Sequence, residues 1–166
     1  NTYSFFALYA NIDGFTGAEA EVPVETRPEI DRWILSELNS LIRDVTASLE
    51  EYDPTPAARR IDAFVNENLS NWYVRLNRKR FWGGSMNEDK LAAYQTLYTC
   101  LETVAMLAAP IAPFITDRIF CDLNAASGRH AESSVHLAEY PQCNEALINR
   151  ELEARTELSQ QVSSMV

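Results

Sequence analysis

The residues with the clearest capacity for recognition chemistry lie in the run Asn71-Trp72-Tyr73-Val74-Arg75-Leu76-Asn77-Arg78-Lys79-Arg80-Phe81-Trp82. On an ideal helix, at about 100° per residue, Arg75, Arg78 and Trp82 fall within about 40° of Asn71. The apolar positions Val65, Leu69, Trp72 and Leu76 cluster on a separate face, the one expected in the core. Lys79 flanks the polar group, and Arg80 points elsewhere on this geometry. Two guanidinium groups, an amide and an indole on one face suit an unpaired stretch of RNA. Guanidinium pairs with phosphates or base edges, the aromatic ring stacks on a base, and the amide reads a base edge. A plainer reading stands beside this one, in which the arginines are a solvated face paired with acidic neighbours and Trp82 caps the core.

Other chemistry finds less support. Gly83-Gly84 follows a helix instead of opening one, so it is no phosphate loop. No serine sits in a nucleophile elbow. The adjacent Glu50 and Glu51 do not share a helix face. Cys100, Cys121 and Cys143 form no C-x-x-C pair, and a reduced intracellular protein is the simplest expectation. His130 and His136 lie between Cys121 and Cys143 at spacings that match no zinc pattern. Neither a catalytic site nor a metal site is expected within the chain.

The formal net charge of -10 argues against phosphate binding if it is spread evenly. It is not. Between Arg59 and Trp82 the basic residues are Arg59, Arg60, Arg75, Arg78, Lys79 and Arg80, against Asp62 and Glu67. That window carries +4 and the remainder -14.

Long amphipathic helices must position these residues. Ile30, Trp33, Ile34, Leu38, Leu41, Ile42, Val45 and Leu49 recur at three- and four-residue steps and predict one helix. Asp53-Pro54 ends it. Thr55 is expected to cap a second helix with Pro56 at its first position. That helix carries Ile61, Val65, Leu69, Trp72 and Leu76 inward and stops at Gly83-Gly84. Asn87 caps a third, with Leu91, Tyr94, Tyr98, Leu101, Val104 and Leu107 toward the core. The prolines in Leu107 to Phe114 break it. A fourth helix is expected from Pro113 to Leu123, an irregular connection over 125–143, and a last helix from about Asn144 through Leu152 and Leu158. Glu21 to Glu25 alternates but contains Pro23, so a loop is expected there. The fold class that follows is all-α, an antiparallel helix bundle. Both ends read as cut through helical patterns. The expectation is one domain over 1–166 of a longer protein, with 144–166 starting a helix that leads into a C-terminal region beyond the chain.

The run from Asn71 to Trp82 resembles the signature helix of the anticodon-binding domain of isoleucyl-tRNA synthetases, class Ia enzymes, in their eukaryote-like branch. Asp31 to Asn39 is similar to the long helix before it. Leu107 to Phe114 resembles the proline-broken segment shared with the valyl, leucyl and methionyl enzymes, and Ser134-Val135-His136-Leu137 with Pro141 the segment after that. Asn1 to Phe15 looks like the helix entering the domain. The resemblance covers almost the whole chain.

It implies a cytoplasmic parent enzyme that joins isoleucine to its tRNA using ATP with magnesium, with zinc a candidate elsewhere in the parent. No cofactor is implied within this chain. Its implied partners are isoleucine tRNA and the remaining domains of the parent, with no membrane and no DNA. The family pattern Asn-x-x-x-aromatic on the entering helix maps to Asn1 and Phe5, although Phe5 also reads as ordinary core. The implied anticodon-binding set is therefore Asn1, Phe5, Asn71, Arg75, Arg78, Lys79 and Trp82. The parent's HIGH and KMSKS signatures are absent from this sequence. The competing expectation is a structural or protein-interaction bundle that makes no direct RNA contact when isolated.

Overall fold

The structure, a computed structural model, describes residues 1–165. Its elements among these residues are helices throughout: α1 (Thr2–Asp13), α2 (Glu29–Glu50), α3 (Pro54–Ala63), a π-helical segment (Phe64–Val74), α4 (Arg75–Trp82), α5 (Glu88–Ala108), α6 (Pro113–Ser127) and α7 (Arg150–Ser164). Short 3-10 turns occur at Val24–Thr26, Val135–Leu137 and Glu145–Leu147. The chain is an all-α helical bundle.

Helix α2 forms where the apolar stripe predicts it and buries Trp33, Ile34, Leu38, Leu41, Ile42 and Val45. Glu29 and Asp31 place negative charge in its first turn, where the helix dipole favours it. The start of α3 differs from expectation by two residues. Asp53, not Thr55, is the cap: its carboxylate accepts from the Thr55 amide at 3.2 Å, and Pro54, not Pro56, takes the first helical position. Aspartate caps at least as well as threonine, so the earlier acid–proline pair prevails.

From Pro54 to Trp82 the chain then runs as one rod through α3, the π segment and α4. Helix α5 packs against α1, α2, α3, α4 and α6 and is buried along most of its length, including Tyr94, Leu97, Tyr98 and Leu101. Its start is the expected Asn87 cap, which accepts from the Lys90 amide at 2.8 Å.

The proline segment ends α5 at Ala108, and α6 continues to Ser127, four residues beyond the expected Leu123. Gly128 stops α6 in the left-handed conformation (φ 64°), a stop the pattern of apolar residues did not mark. The last helix begins at Arg150 on an Asn149 cap, not near Asn144, which instead caps the turn at Glu145–Leu147. Residues 20–28 are a loop with one 3-10 turn, as the proline implies. An aromatic cluster of Phe6, Phe15, Phe81, Tyr94 and Tyr98 joins α1, α4 and α5. Phe15 stacks on Tyr94 at 5.1 Å, and Phe81 meets the same ring edge-on at 5.0 Å.

Candidate nucleic-acid interface

The π segment decides which residues of the rod face outward. Hydrogen bonding from i to i+5 admits more residues per turn than the α pattern, so every later side chain shifts in phase. In α3 the buried positions are Ala57 and Ile61, followed by Phe64. Continuing that three-and-four spacing would turn Arg75, Lys79 and Trp82 inward. The structure instead buries Leu69, Tyr73, Val74, Asn77 and Phe81, with steps of five at Phe64 to Leu69 and Leu69 to Val74. Leu76, expected in the core, is 56% exposed for this reason, while Trp72 is half-buried against the core.

Asn71, Arg75, Arg78 and Lys79 are exposed, and Trp82 is 55% exposed. Trp82 therefore does not cap the core; its neighbour Phe81, 1% exposed, does. Among the described residues, the ion pairs made by the rod use Arg60, which holds Asp44, and Arg80. Arg75, Arg78 and Lys79 thus present their charge to solvent, and they do so within the last two turns before Gly83.

Arg80 is turned the other way, as ideal geometry indicates. Its guanidinium grips Asp31 at both oxygens (Nη1 to Oδ1 at 2.7 Å, Nη2 to Oδ2 at 2.9 Å) and donates to the Asp89 carboxylate and carbonyl. Asp31 is fully buried and also accepts from the Tyr73 hydroxyl at 2.7 Å. Asn77 donates to the Tyr73 carbonyl at 2.7 Å and accepts from Arg80 at 3.1 Å. Burial opposes the Arg80 charge, but the hydrogen bonds and attraction of Asp31 outweigh it and raise its pKa above the ordinary arginine value. Burial, then the Asp31 carboxylate, pushes the Tyr73 phenol well up, so it remains a donor. Tyr73, Asn77 and Asp31 were not singled out from sequence. Asp31 stood visible as an acid in the first turn of α2, but nothing local pairs it with a residue 49 positions away.

Asn1 is exposed at the start of α1, and its carbonyl accepts from the Phe5 amide at 2.9 Å. It lines a cleft of about 290 Å³ with Val65, Asn66, Leu69 and Ser70, which brings it alongside the π segment. Phe5 is half-buried. Its ring lies 5.4 Å from Phe81, edge-on, and 4.9 Å from Tyr9, so it serves the packing under α4. A groove of about 500 Å³ runs beside Asn71, Trp72 and Arg75 and is walled by Gln160, Gln161 and Ser164 of α7. Glu67 and Glu157 line it too, which limits its attraction for an anion.

The cysteines and histidines do not gather. Cys100 is buried and its thiol pKa is raised by that burial. His130 bonds Glu102 at 2.8 Å, and His136 meets the Pro113 carbonyl at 3.2 Å. Among the described residues there is no group of three or more His, Cys, Asp or Glu side chains placed to hold a metal. No helix among them is long and apolar enough to cross a membrane.

A helical bundle with its core on α5 presents to solvent a helix end that combines free cations with an exposed aromatic ring, the residue types that nucleic-acid contacts use. Comparison with known proteins places it further. The family model described as the anticodon-binding domain of tRNA ligase matches residues 31–166, and the chain belongs to that family. It is 64% identical over its whole length to an isoleucine–tRNA ligase of Bacteroides thetaiotaomicron and 63% identical to one of Cytophaga hutchinsonii. It is 50% identical over 99% of its length to one of Dehalococcoides mccartyi. It spans only 14%, 15% and 16% of these three relatives.

Proposed function

We propose that this chain is the domain that holds the tRNA anticodon stem-loop in an isoleucine–tRNA ligase, a cytoplasmic enzyme that attaches isoleucine to its tRNA using ATP with magnesium. The chemistry and its cofactors belong to other parts of that enzyme, where zinc is also a candidate. The partners are isoleucine tRNA and the remaining domains of the ligase.

One observation carries the reading. Arg75, Arg78 and Lys79 are exposed beside a half-exposed indole, Trp82, while their neighbour Arg80 is committed to a buried ion pair. Cations with no structural employment, next to an aromatic face, suit phosphates and unpaired bases. Asn71 adds an amide beside Arg75, Asn1 lies alongside the π segment at Val65 to Ser70, and Phe5 supports the turn that carries Trp82.

The test is the double variant Arg75→Ala, Arg78→Ala in the full-length ligase. Its Michaelis constant for tRNA should rise about tenfold or more, and by more than that for isoleucine or ATP. Unchanged tRNA kinetics would remove these residues from the interface. The excess of acid outside the basic window supports a second reading, a scaffold without RNA contact of its own. Equal binding of the chain to an isoleucine anticodon hairpin and to unrelated hairpins at low salt would favour that reading.

A further inference from the structure

We propose that Asp31 is a positioning residue for the RNA-facing side chains: through Tyr73 and Arg80 it locks the phase that the π segment gives to α4. The proposal rests on the interface reading above.

Two facts make the lock necessary. First, the outward phase of Arg75, Lys79 and Trp82 depends on the wide turns between Phe64 and Val74. A π-helix is rare and is usually a single turn, so eleven residues of it need outside support. Second, α4 is only eight residues long and ends at Gly83, which is extended and makes no C-terminal cap. A short helix end of this kind frays unless tertiary contacts hold it.

Asp31 supplies those contacts at two heights. Its Oδ1 accepts from Tyr73 at the close of the π segment and from Arg80 near the end of α4, while its Oδ2 takes the second prong of the Arg80 fork. Asn77 lies between them and bonds to both. A bidentate carboxylate–guanidinium pair fixes direction as well as distance, which a single hydrogen bond does not. The rotation of α4 about its axis is therefore set by a residue of α2 that is wholly buried and has no access to RNA. Arg78 and Arg80 divide the work: one is presented to solvent and the other anchors the turn that presents it.

The test separates positioning from plain stability. Asp31→Asn with Arg80→Met removes both charges of the pair together, so neither partner is left as an unpaired buried charge, Arg27 keeps Glu21, and the amide oxygen introduced at position 31 still accepts from Tyr73. In the full-length ligase this variant should raise the Michaelis constant for tRNA about tenfold relative to that for isoleucine. Thermal melting of the 166-residue chain should meanwhile remain cooperative and close to the parent. A folded double variant with the parent's tRNA constant overturns the proposal. Should the double variant fail to fold, Arg80→Lys decides. It keeps a cation opposite Asp31 but not the fork, and the proposal requires its tRNA constant to rise while its melting is retained; the parent's value overturns it. Loss of effect in Arg75→Ala, Arg78→Ala would sink the interface reading itself. Loss of effect in the lock variants alone would sink only the positioning role.

Discussion

Glu37 accepts a hydrogen bond from the Trp33 indole nitrogen at 3.2 Å within α2, and from across the bundle it faces the carboxylates of Glu153 and Glu157 on α7. Burial, then the repulsion of Glu153, raises the Glu37 pKa to about 7 against an ordinary 4.5, and the Trp33 bond only partly offsets this. The nearby Arg60 brings little relief, because Asp44 already holds it. In the window between the ordinary value and about 7 the folded state keeps a proton that the unfolded state has released. Stability from this group is therefore full at low pH and is lost as pH rises through the folded value.

It follows that Glu37→Gln should flatten that loss. The variant is expected to match the parent near the lower edge of the window and to exceed it above the upper edge, by on the order of 1–2 kcal/mol once solvent screening of this partly exposed group is allowed for. Urea denaturation of the chain across the window measures it. A parent whose stability does not fall with rising pH would disprove the assignment.

Gly17 makes a second prediction. It sits at φ 88°, and a Cβ there would lie 3.0 Å from Tyr98 Cε2 and 3.1 Å from Ser127 Cβ. Its carbonyl accepts from Arg129 Nε at 2.9 Å, and that guanidinium lies 4.3 Å from the centre of the Tyr98 ring. Gly17→Ala therefore adds both backbone strain and a clash with the ring that packs under α1. A loss of about 1–3 kcal/mol is expected by chemical denaturation. A shift within error would show that the Tyr98 ring yields freely.

Much of this architecture was legible because it rests on local signals. The stripe from Ile30 to Leu49, the Asn87 cap and the proline break after Leu107 are each written within a few residues. The bundle could be read from them, and the outward placement of Arg75, Arg78 and Trp82 from their offset against Leu69 and Trp72. The orientation of Leu76 and the buried roles of Tyr73 and Asn77 could not. An α-helical wheel assumes one angular step throughout, and the π segment breaks that assumption in the middle of the rod. The wheel still placed Arg75, Arg78 and Trp82 outward because it was anchored on the nearby apolar residues Leu69 and Trp72, which do face the core, and because Arg75 to Trp82 keeps α-helical spacing; extended from Ala57 and Ile61 alone it would have turned Arg75 and Trp82 inward. The partnership of Asp31 with Arg80 is a tertiary fact, and its two halves carry no mark of each other in sequence.

That contrast gives a direct test of the register. Leu76 reads as core on the wheel but is exposed in the structure, whereas Phe81 is buried against Phe5 and Tyr94. Leu76→Gln should change stability by no more than about 0.5 kcal/mol. Phe81→Ala should cost about 3–5 kcal/mol, because it opens a cavity where α1, α4 and α5 meet. A large loss at Leu76 with a small one at Phe81 would mean that the rod is α-helical through residues 64–74 and that its face is turned differently.

The three tryptophans allow the interface to be watched directly. Trp33 is buried, Trp72 is half-buried, and Trp82 is the most exposed of the three. If Trp82 stacks on an unpaired base, adding an isoleucine anticodon hairpin should quench the chain's fluorescence, and Trp82→Phe should abolish most of that quenching. The same variant should bind nearly as tightly as the parent, since a phenyl ring still offers a stacking face. Trp82→Ala should weaken binding by about 1–3 kcal/mol. Its salt dependence should stay close to the parent's, because the lost contact is to a base and not to a phosphate. Arg78→Ala should behave in the opposite way and lower the slope of affinity against salt by about one unit. Quenching that survives in Trp82→Phe would move the stacking site to Trp72 and the groove beside α7, where Gln160 and Gln161 would become the next residues to alter.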